Sequence, residues 1–365
     1  MTAAKKQPQP RPGILEISPY VGGKAKAAGA NRVLRLASNE NPLGASPQAQ
    51  AAYLAGSDEL YRYPDGGAQA LREAIAAAEG LEAERLVCGA GSDELIQLLV
   101  RGYAGPGDEV LYSQHGFLVY PLAAQAAGAR PVAAPEQSLR ADVEALLAQV
   151  GPRTRMLFLA NPNNPTGSYL DRAAVARLHA GLPSDVLLVL DAAYAEYVRE
   201  SDYDAGAELV AAHENVVMLR TFSKIHGLAA LRLGWAYGPD SVIDVINRIR
   251  GPFNVSAPAQ AAGIAALGDR DHVAQSVASN ASQLARFREA VLALGLEAPP
   301  SVGNFQLVCF PDPQKRAKAA EAHLAAEGIL VRYMAAYGLP NALRITIGRD
   351  DEMTAVLESL GNFLE

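Results

Sequence analysis

The chain is predicted to fold as an α/β protein, with a mainly parallel sheet between layers of helices and a smaller α+β domain after it. Three observations predict this. Short continuous apolar runs recur up to residue 237, as expected of strands covered on both faces. Alanine- and leucine-rich stretches with helical periodicity lie between several of them. A chain of 365 residues that is 50% hydrophobic can bury one large core and a second, smaller one.

In chain order, residues 1–45 form an N-terminal segment expected to pack with the smaller domain, and its Pro/Gln/Lys-rich opening reads as a mobile tail. Residues 46–254 make the large domain. Its strands are expected at 86–88, 109–112, 156–160, 186–190, 216–219 and 234–237, with 172–182 among its helices. After Gly251-Pro252-Phe253-Asn254, a helical stretch opens the small domain, 255–365, with strands at 304–310 and 343–347.

Composition narrows the function. The 32 basic and 39 acidic residues give a net charge of −7, and no basic run is long enough for a nucleic-acid footprint, so no nucleic-acid partner is expected. Cys88 and Cys309 stand far apart without metal-ligand or redox spacing, and read as small buried residues of a reduced compartment. No metal site is expected. The opening residues lack the apolar core of a signal peptide and no later run approaches a membrane-spanning length, which predicts a cytoplasmic protein without membrane contact.

Polar residues gather where the expected strands end, and open α/β sheets bind their ligands beyond the carboxyl ends of strands. After 156–160 comes Asn161-Pro162-Asn163-Asn164-Pro165-Thr166-Gly167, and after 186–190 comes Asp191-Ala192-Ala193-Tyr194. After 216–219 comes Thr221-Phe222-Ser223-Lys224, with Arg232 eight positions beyond the lysine. A lysine amine among hydroxyls, with a guanidinium nearby, suits a Schiff base to a phosphorylated aldehyde, and pyridoxal 5'-phosphate fits that description. Asp191 is then suited to keep a pyridinium nitrogen protonated, so that the ring withdraws electrons. Asn164 and Tyr194 are suited to hydrogen-bond the ring's phenolate oxygen.

The phosphate needs a cradle, and Cys88-Gly89-Ala90-Gly91-Ser92-Asp93-Glu94 provides a strand, a glycine-rich turn and a helix start. Free N–H groups and the positive end of the helix dipole then face the anion, Ser92 adds a hydroxyl, and Thr221, Ser223 and Arg232 complete the cup. Read singly, Asp191 and Ser92 are equally well helix caps and Asn164 an ordinary Asn-Pro turn. Their common location favours the functional reading.

Asn164-Pro165-Thr166-Gly167, Asp191-Ala192-Ala193-Tyr194, Thr221-Phe222-Ser223-Lys224 and Arg232, in this order and spacing, resemble the fold-type I aminotransferases of classes I and II. Along almost its whole length the chain is similar to the histidinol-phosphate aminotransferases within that family. The similarity is carried by Ser18-Pro19-Tyr20, Ser38-Asn39-Glu40-Asn41-Pro42, Tyr61-Arg62-Tyr63-Pro64, Ser223-Lys224-Ile225-His226-Gly227 and Leu343-Arg344-Ile345-Thr346.

The resemblance implies a large domain built on a seven-stranded, mainly parallel sheet, with pyridoxal 5'-phosphate on Lys224. It implies a homodimer with active sites at the subunit interface, where Tyr63 reaches the neighbouring subunit's cofactor phosphate. It assigns Arg344 to a substrate carboxylate through a two-pronged pair, and Arg332 and Tyr20 to the far end of the substrate. For Arg344 the residues agree, since an arginine inside an apolar strand invites a buried anion. His115, in Tyr112-Ser113-Gln114-His115-Gly116-Phe117, occupies the position where many relatives stack an aromatic ring on the cofactor, and Phe117 is the other candidate for that face. The implied reaction is ping-pong transfer from L-histidinol phosphate to 2-oxoglutarate, giving imidazole acetol phosphate and L-glutamate in histidine biosynthesis. Two rivals stay open: a phenylalanine/tyrosine aminotransferase, and an O-phospho-amino-acid decarboxylase on the same scaffold.

Overall fold

The computed structural model describes residues 8, 10–23, 32–311 and 315–365. Residues 1–7 and 9 of the expected tail lie outside them. The strands, in chain order, are β1 (Leu34–Arg35), β2 (Leu86–Gly89), β3 (Glu109–Ser113), β4 (Arg130–Ala134), β5 (Glu136–Gln137), β6 (Arg140–Ala141), β7 (Thr154–Ala160), β8 (Leu187–Asp191), β9 (Val216–Thr221), β10 (Gly234–Tyr237), β11 (Phe305–Cys309), β12 (Ile329–Leu330), β13 (Arg332–Tyr333) and β14 (Ala342–Thr346).

Seven strands form one sheet in the order β2-β10-β9-β8-β7-β3-β4. Its neighbours run parallel except at β10, which is antiparallel to both β2 and β9. The continuous apolar runs are explained by cover on both faces, and alternate residues of each strand enter different cores. On one face Leu157, Leu159, Leu188 and Leu190 meet Leu71, Ile75, Val175 and Leu178 of the helices Gln69–Glu79 and Arg172–Ala180. On the other, Met156, Phe158, Val189 and Val217 meet Leu95, Leu99, Tyr120 and Ile246 of the helices Ser92–Tyr103, Val119–Ala127 and Asp240–Ile249.

β4 is a strand that the apolar pattern misses. Arg130 and Ala133 are exposed and Pro131 interrupts the ladder, which the sheet tolerates because β4 is its edge strand.

A separate core joins the antiparallel β11, β14 and β13 to the helices Arg270–Ala293, Lys315–Ala326 and Asp350–Leu364. Leu34 and Leu36 belong to this core, and β1 pairs in parallel with β12. The expected change of domain at 254/255 needs correction. The helix Ala257–Gly268 packs through Ala259, Ala262 and Ala266 into the large core, and Gly263 permits the close approach: a Cβ there would lie 2.6 Å from Leu233 Cδ2. After the large core, the chain therefore enters the second core at the helix Arg270–Ala293. Among the described residues no helix is long and apolar enough to cross a membrane, and Cys88 and Cys309 are buried free thiols.

Candidate active site

The carboxyl ends of β7, β8 and β9 open onto a cavity of about 270 Å³. Asp191, Asn164, Tyr194, Lys224, Arg232 and Arg344 line it, as do Tyr20, Ser92, Asp93, Thr221, Ser223 and Arg332. A neighbouring cavity of about 900 Å³, walled mostly by aliphatic side chains under the N-terminal segment, shares Tyr20, Asp93 and Phe117 with it.

Asp191 is the last residue of β8 and is buried. Its Oδ2 accepts a 2.7 Å hydrogen bond from the Tyr120 hydroxyl, whereas Oδ1 has no partner among the described residues. Tyr120 is itself fully buried and stacked on Phe158, with centroids 4.5 Å apart and planes 7° from parallel, so its hydroxyl is held in place. Burial pushes the Asp191 carboxyl up to about 6, with the Tyr120 hydrogen bond pulling the other way.

Lys224 follows β9 in a turn made by Gly227, whose φ is +67° and where a Cβ would lie 2.2 Å from the Gly44 carbonyl oxygen. The lysine Nζ donates to the Ser38 carbonyl at 2.9 Å and lies 5.8 Å from the centroid of the Tyr194 ring. Burial, reinforced by the Arg344 guanidinium, lowers its ammonium to about 8. Tyr194 is buried and accepts from Asn39 Nδ2 at 2.9 Å, and burial raises its phenol above the usual range. Arg344, buried on β14, donates to Asn164 Oδ1 and, at 2.7 Å, to the Ala37 carbonyl. Arg332 donates to the Val21 carbonyl at 2.5 Å, with its guanidinium 5.8 Å from the Tyr20 ring centroid.

The anion cradle is tight. Gly91 caps the helix Ser92–Tyr103 at φ +84°, and a Cβ on it would lie 2.4 Å from Arg232 Nη2. A Cβ on Gly234 would lie 2.5 Å from the Ser92 nitrogen. Arg232 donates to Ser223 Oγ at 3.3 Å and to Asp93 Oδ2 at 3.2 Å, and the Ser223 N–H donates to Thr221 Oγ1 at 3.1 Å.

Two expected residues lie elsewhere in this chain. His115 has its Nδ1 2.8 Å from Glu136 Oε2 and donates its backbone N–H to Glu136 Oε1 at 3.0 Å, which supplies partners for a carboxylate only 2% exposed. It does not line the cavity, whereas Phe117, the other candidate for the stacking face, does. Tyr63 is 82% exposed and stacks on Phe253 at 4.6 Å, away from its own chain's cavity. Conversely, Tyr120, Asn39 and Ser38 hold the reactive groups without having been singled out. Asn39 and Ser38 fall within the Ser38-Asn39-Glu40-Asn41-Pro42 segment, whereas nothing around Tyr120 marks it.

The family profile described as Aminotransferase class I and II matches residues 31–360. Histidinol-phosphate aminotransferases of Rhodospirillum centenum and Rhodospirillum rubrum are 58% and 56% identical over 358 residues, covering 98% of this chain and 99% and 97% of theirs. The crystal structure of histidinol-phosphate aminotransferase from Sinorhizobium meliloti in complex with pyridoxal-5'-phosphate matches with a TM-score of 0.90 at 29% identity, over 99% of this chain and 98% of that one.

Proposed function

Because the chain belongs to the class I and II aminotransferases and, within them, to the histidinol-phosphate aminotransferases, we propose that it moves the amino group of L-histidinol phosphate to 2-oxoglutarate, using pyridoxal 5'-phosphate held at Lys224. One observation carries the reading: Lys224 and Asp191, whose buried Oδ1 has no hydrogen-bond partner among the described residues, line a single cavity. The bare buried oxygen fits a protonated ring nitrogen, and the cradle that a Cβ on Gly91 would fill fits a phosphate.

When bound, pyridoxal phosphate supplies an aldehyde to take the amino group and a ring that withdraws electrons from the substrate's α-carbon. The protein's own groups do the rest. Arg232, Ser223, Thr221 and Ser92 would hold the phosphate, with Gly91 keeping the seat open and Asp93 the present counter-ion of Arg232. Asp191 would keep the ring nitrogen protonated while Tyr120 fixes its other oxygen. Tyr194 and Asn164 would hydrogen-bond the ring oxygen. An amine lowered to about 8 is partly neutral near physiological pH, so Lys224 Nζ is able to take the proton from the substrate α-carbon and return it. Arg344 would bind the carboxylate of glutamate or 2-oxoglutarate as a two-pronged donor, with Arg332 and Tyr20 at the phosphate or second-carboxylate end.

The assembly proposed is a homodimer in which Tyr63 completes the neighbouring subunit's site. Its exposure and its absence from the lining of its own chain's cavity support this role. Two buried free thiols agree with a reducing compartment such as the cytoplasm.

The test is rapid mixing of cofactor-loaded protein with histidinol phosphate, phenylalanine, tyrosine or glutamate, following the cofactor's visible absorbance. Histidinol phosphate should change it fastest, 2-oxoglutarate should restore it, and Lys224→Ala should abolish multiple turnover. A faster response to phenylalanine or tyrosine would reassign the substrate, and carbon dioxide released without glutamate would make the protein a decarboxylase.

A further inference from the structure

A buried charge cluster lies behind Lys224, and the proposed mechanism does not use it. Arg220, on β9 four positions before Lys224, is 6% exposed. Its Nη2 donates to Glu196 Oε1 at 2.9 Å and its Nη1 to Glu79 Oε2 at 3.3 Å, and the guanidinium lies 5.3 Å from the Trp235 ring centroid on β10. Glu196 stands two positions after Tyr194, in the single 3-10 turn Ala195–Tyr197. Glu79 ends the helix Gln69–Glu79, which follows the Arg62-Tyr63-Pro64 segment. One guanidinium therefore ties together the segments that carry Lys224 and Tyr194 and the end of the helix Gln69–Glu79.

The cluster is poorly built for stability. Arg220 Nε and Glu196 Oε2 are buried without hydrogen-bond partners among the described residues, and each such group carries an uncompensated desolvation cost. Buried ion pairs are often replaced by well-packed apolar side chains without loss, and sometimes with gain, of stability. What an apolar pair cannot do is hold two segments at a fixed offset through directed hydrogen bonds from the two arms of one planar guanidinium. The turn that only Gly227 allows fixes the backbone just after Lys224, and Arg220 fixes it just before.

We propose that the Arg220–Glu196–Glu79 cluster is a positioning device that sets the Lys224 amine relative to the Tyr194 hydroxyl. The inference rests on the reading above that Lys224 and Tyr194 serve the transferase site. Arg220 touches neither of them, so it is a positioning residue that acts through the segments it joins.

Purified full-length protein tests this. Arg220→Met alone leaves Glu196 buried without its counter-ion, and its melting temperature should fall. The double variant Arg220→Met/Glu196→Met removes that penalty and leaves Glu79, 30% exposed, free to hydrate; its melting temperature should return towards wild type. Its kcat for histidinol phosphate and 2-oxoglutarate should nevertheless stay at least about ten-fold low while KM moves less than about three-fold.

A readout without cofactor runs beside it. The Lys224 amine of the apoprotein, followed by NMR after isotopic methylation, should shift its titration by about half a pH unit or more. The charges that bear most on that amine are those of Arg344, Asp93, Glu40 and Arg232, Asp191 is coupled to it as well, and the double variant leaves all five intact, so a shift reports geometry. Arg220→Lys keeps the charge, loses the fork and should show the same loss of kcat in a folded protein. Wild-type kcat and wild-type Lys224 titration in the double variant, or in Arg220→Lys if the double variant does not fold, would overturn the inference. Absence of amino transfer in the wild-type protein would overturn the proposed function instead.

Discussion

Asp191 retains its proton up to about pH 6 because burial penalises the carboxylate more than the Tyr120 hydroxyl relieves it. The folded value lies above the unfolded value of 3.8, so the folded apoprotein binds more protons between the two. Its contribution is fully present below the unfolded value and is lost as pH rises through about 6, at a total of about 3 kcal/mol for a shift of this size. The melting temperature of wild-type apoprotein should therefore fall across this window more than that of Asp191→Asn. Tyr120→Phe removes the hydrogen bond that lowers the carboxyl, so its fall should continue to higher pH. Parallel pH profiles for the three apoproteins would sink the assignment. Lys224 runs the opposite way: lowered from 10.5 to about 8, its contribution is present above 10.5 and lost as pH falls through about 8. Cofactor loading of the apoprotein should accordingly accelerate as pH rises through that value. Lys224 was legible because its hydroxyl neighbours are adjacent in sequence. Tyr120 and Ser38 were not, since they lie 71 and 186 positions from the groups they hold and only the folded sheet brings them there.

Elements were legible where burial on both faces leaves an uninterrupted apolar run, as in β7, β8 and β9, and obscure where it does not. β4 escaped because an edge strand needs no apolar run and tolerates Pro131. The helix Ala257–Gly268 is not legible as part of the large core because its alanines mark no face; the gap that Gly263 fits decides its partner. The cradle at the start of Ser92–Tyr103 makes a sharper prediction. A Cβ on Gly91 meets the Arg232 guanidinium at a φ that side chains rarely adopt. Gly91→Ala should weaken pyridoxal phosphate binding by about ten-fold or more while leaving the weak binding of unphosphorylated pyridoxal nearly unchanged, as fluorescence titration would measure. Equal losses for both would show that the turn does not serve the phosphate.

For the whole molecule, the parallel sheet and the crevice at its carboxyl edge followed from strand patterning alone. The seventh strand, and the expectation of a site shared between subunits, came only with the family resemblance, because one chain's sequence carries no direct signature of such sharing. If Tyr63 acts across the interface, Tyr63→Phe and Lys224→Ala proteins, each impaired alone, should regain activity when unfolded, mixed and refolded together. Each hybrid would contain one site with both native residues. A mixture no more active than its parts would place Tyr63 in its own subunit.

The bare oxygen of Asp191 also bears on how long the protein survives. An empty chain keeps a buried carboxylate whose cost the Tyr120 hydroxyl only partly offsets, whereas binding a cationic ring favours the folded state by mass action. In a cell short of vitamin B6, degradation of transiently opened molecules would thin the enzyme's numbers, matching its abundance to the supply of its coenzyme with no dedicated sensor.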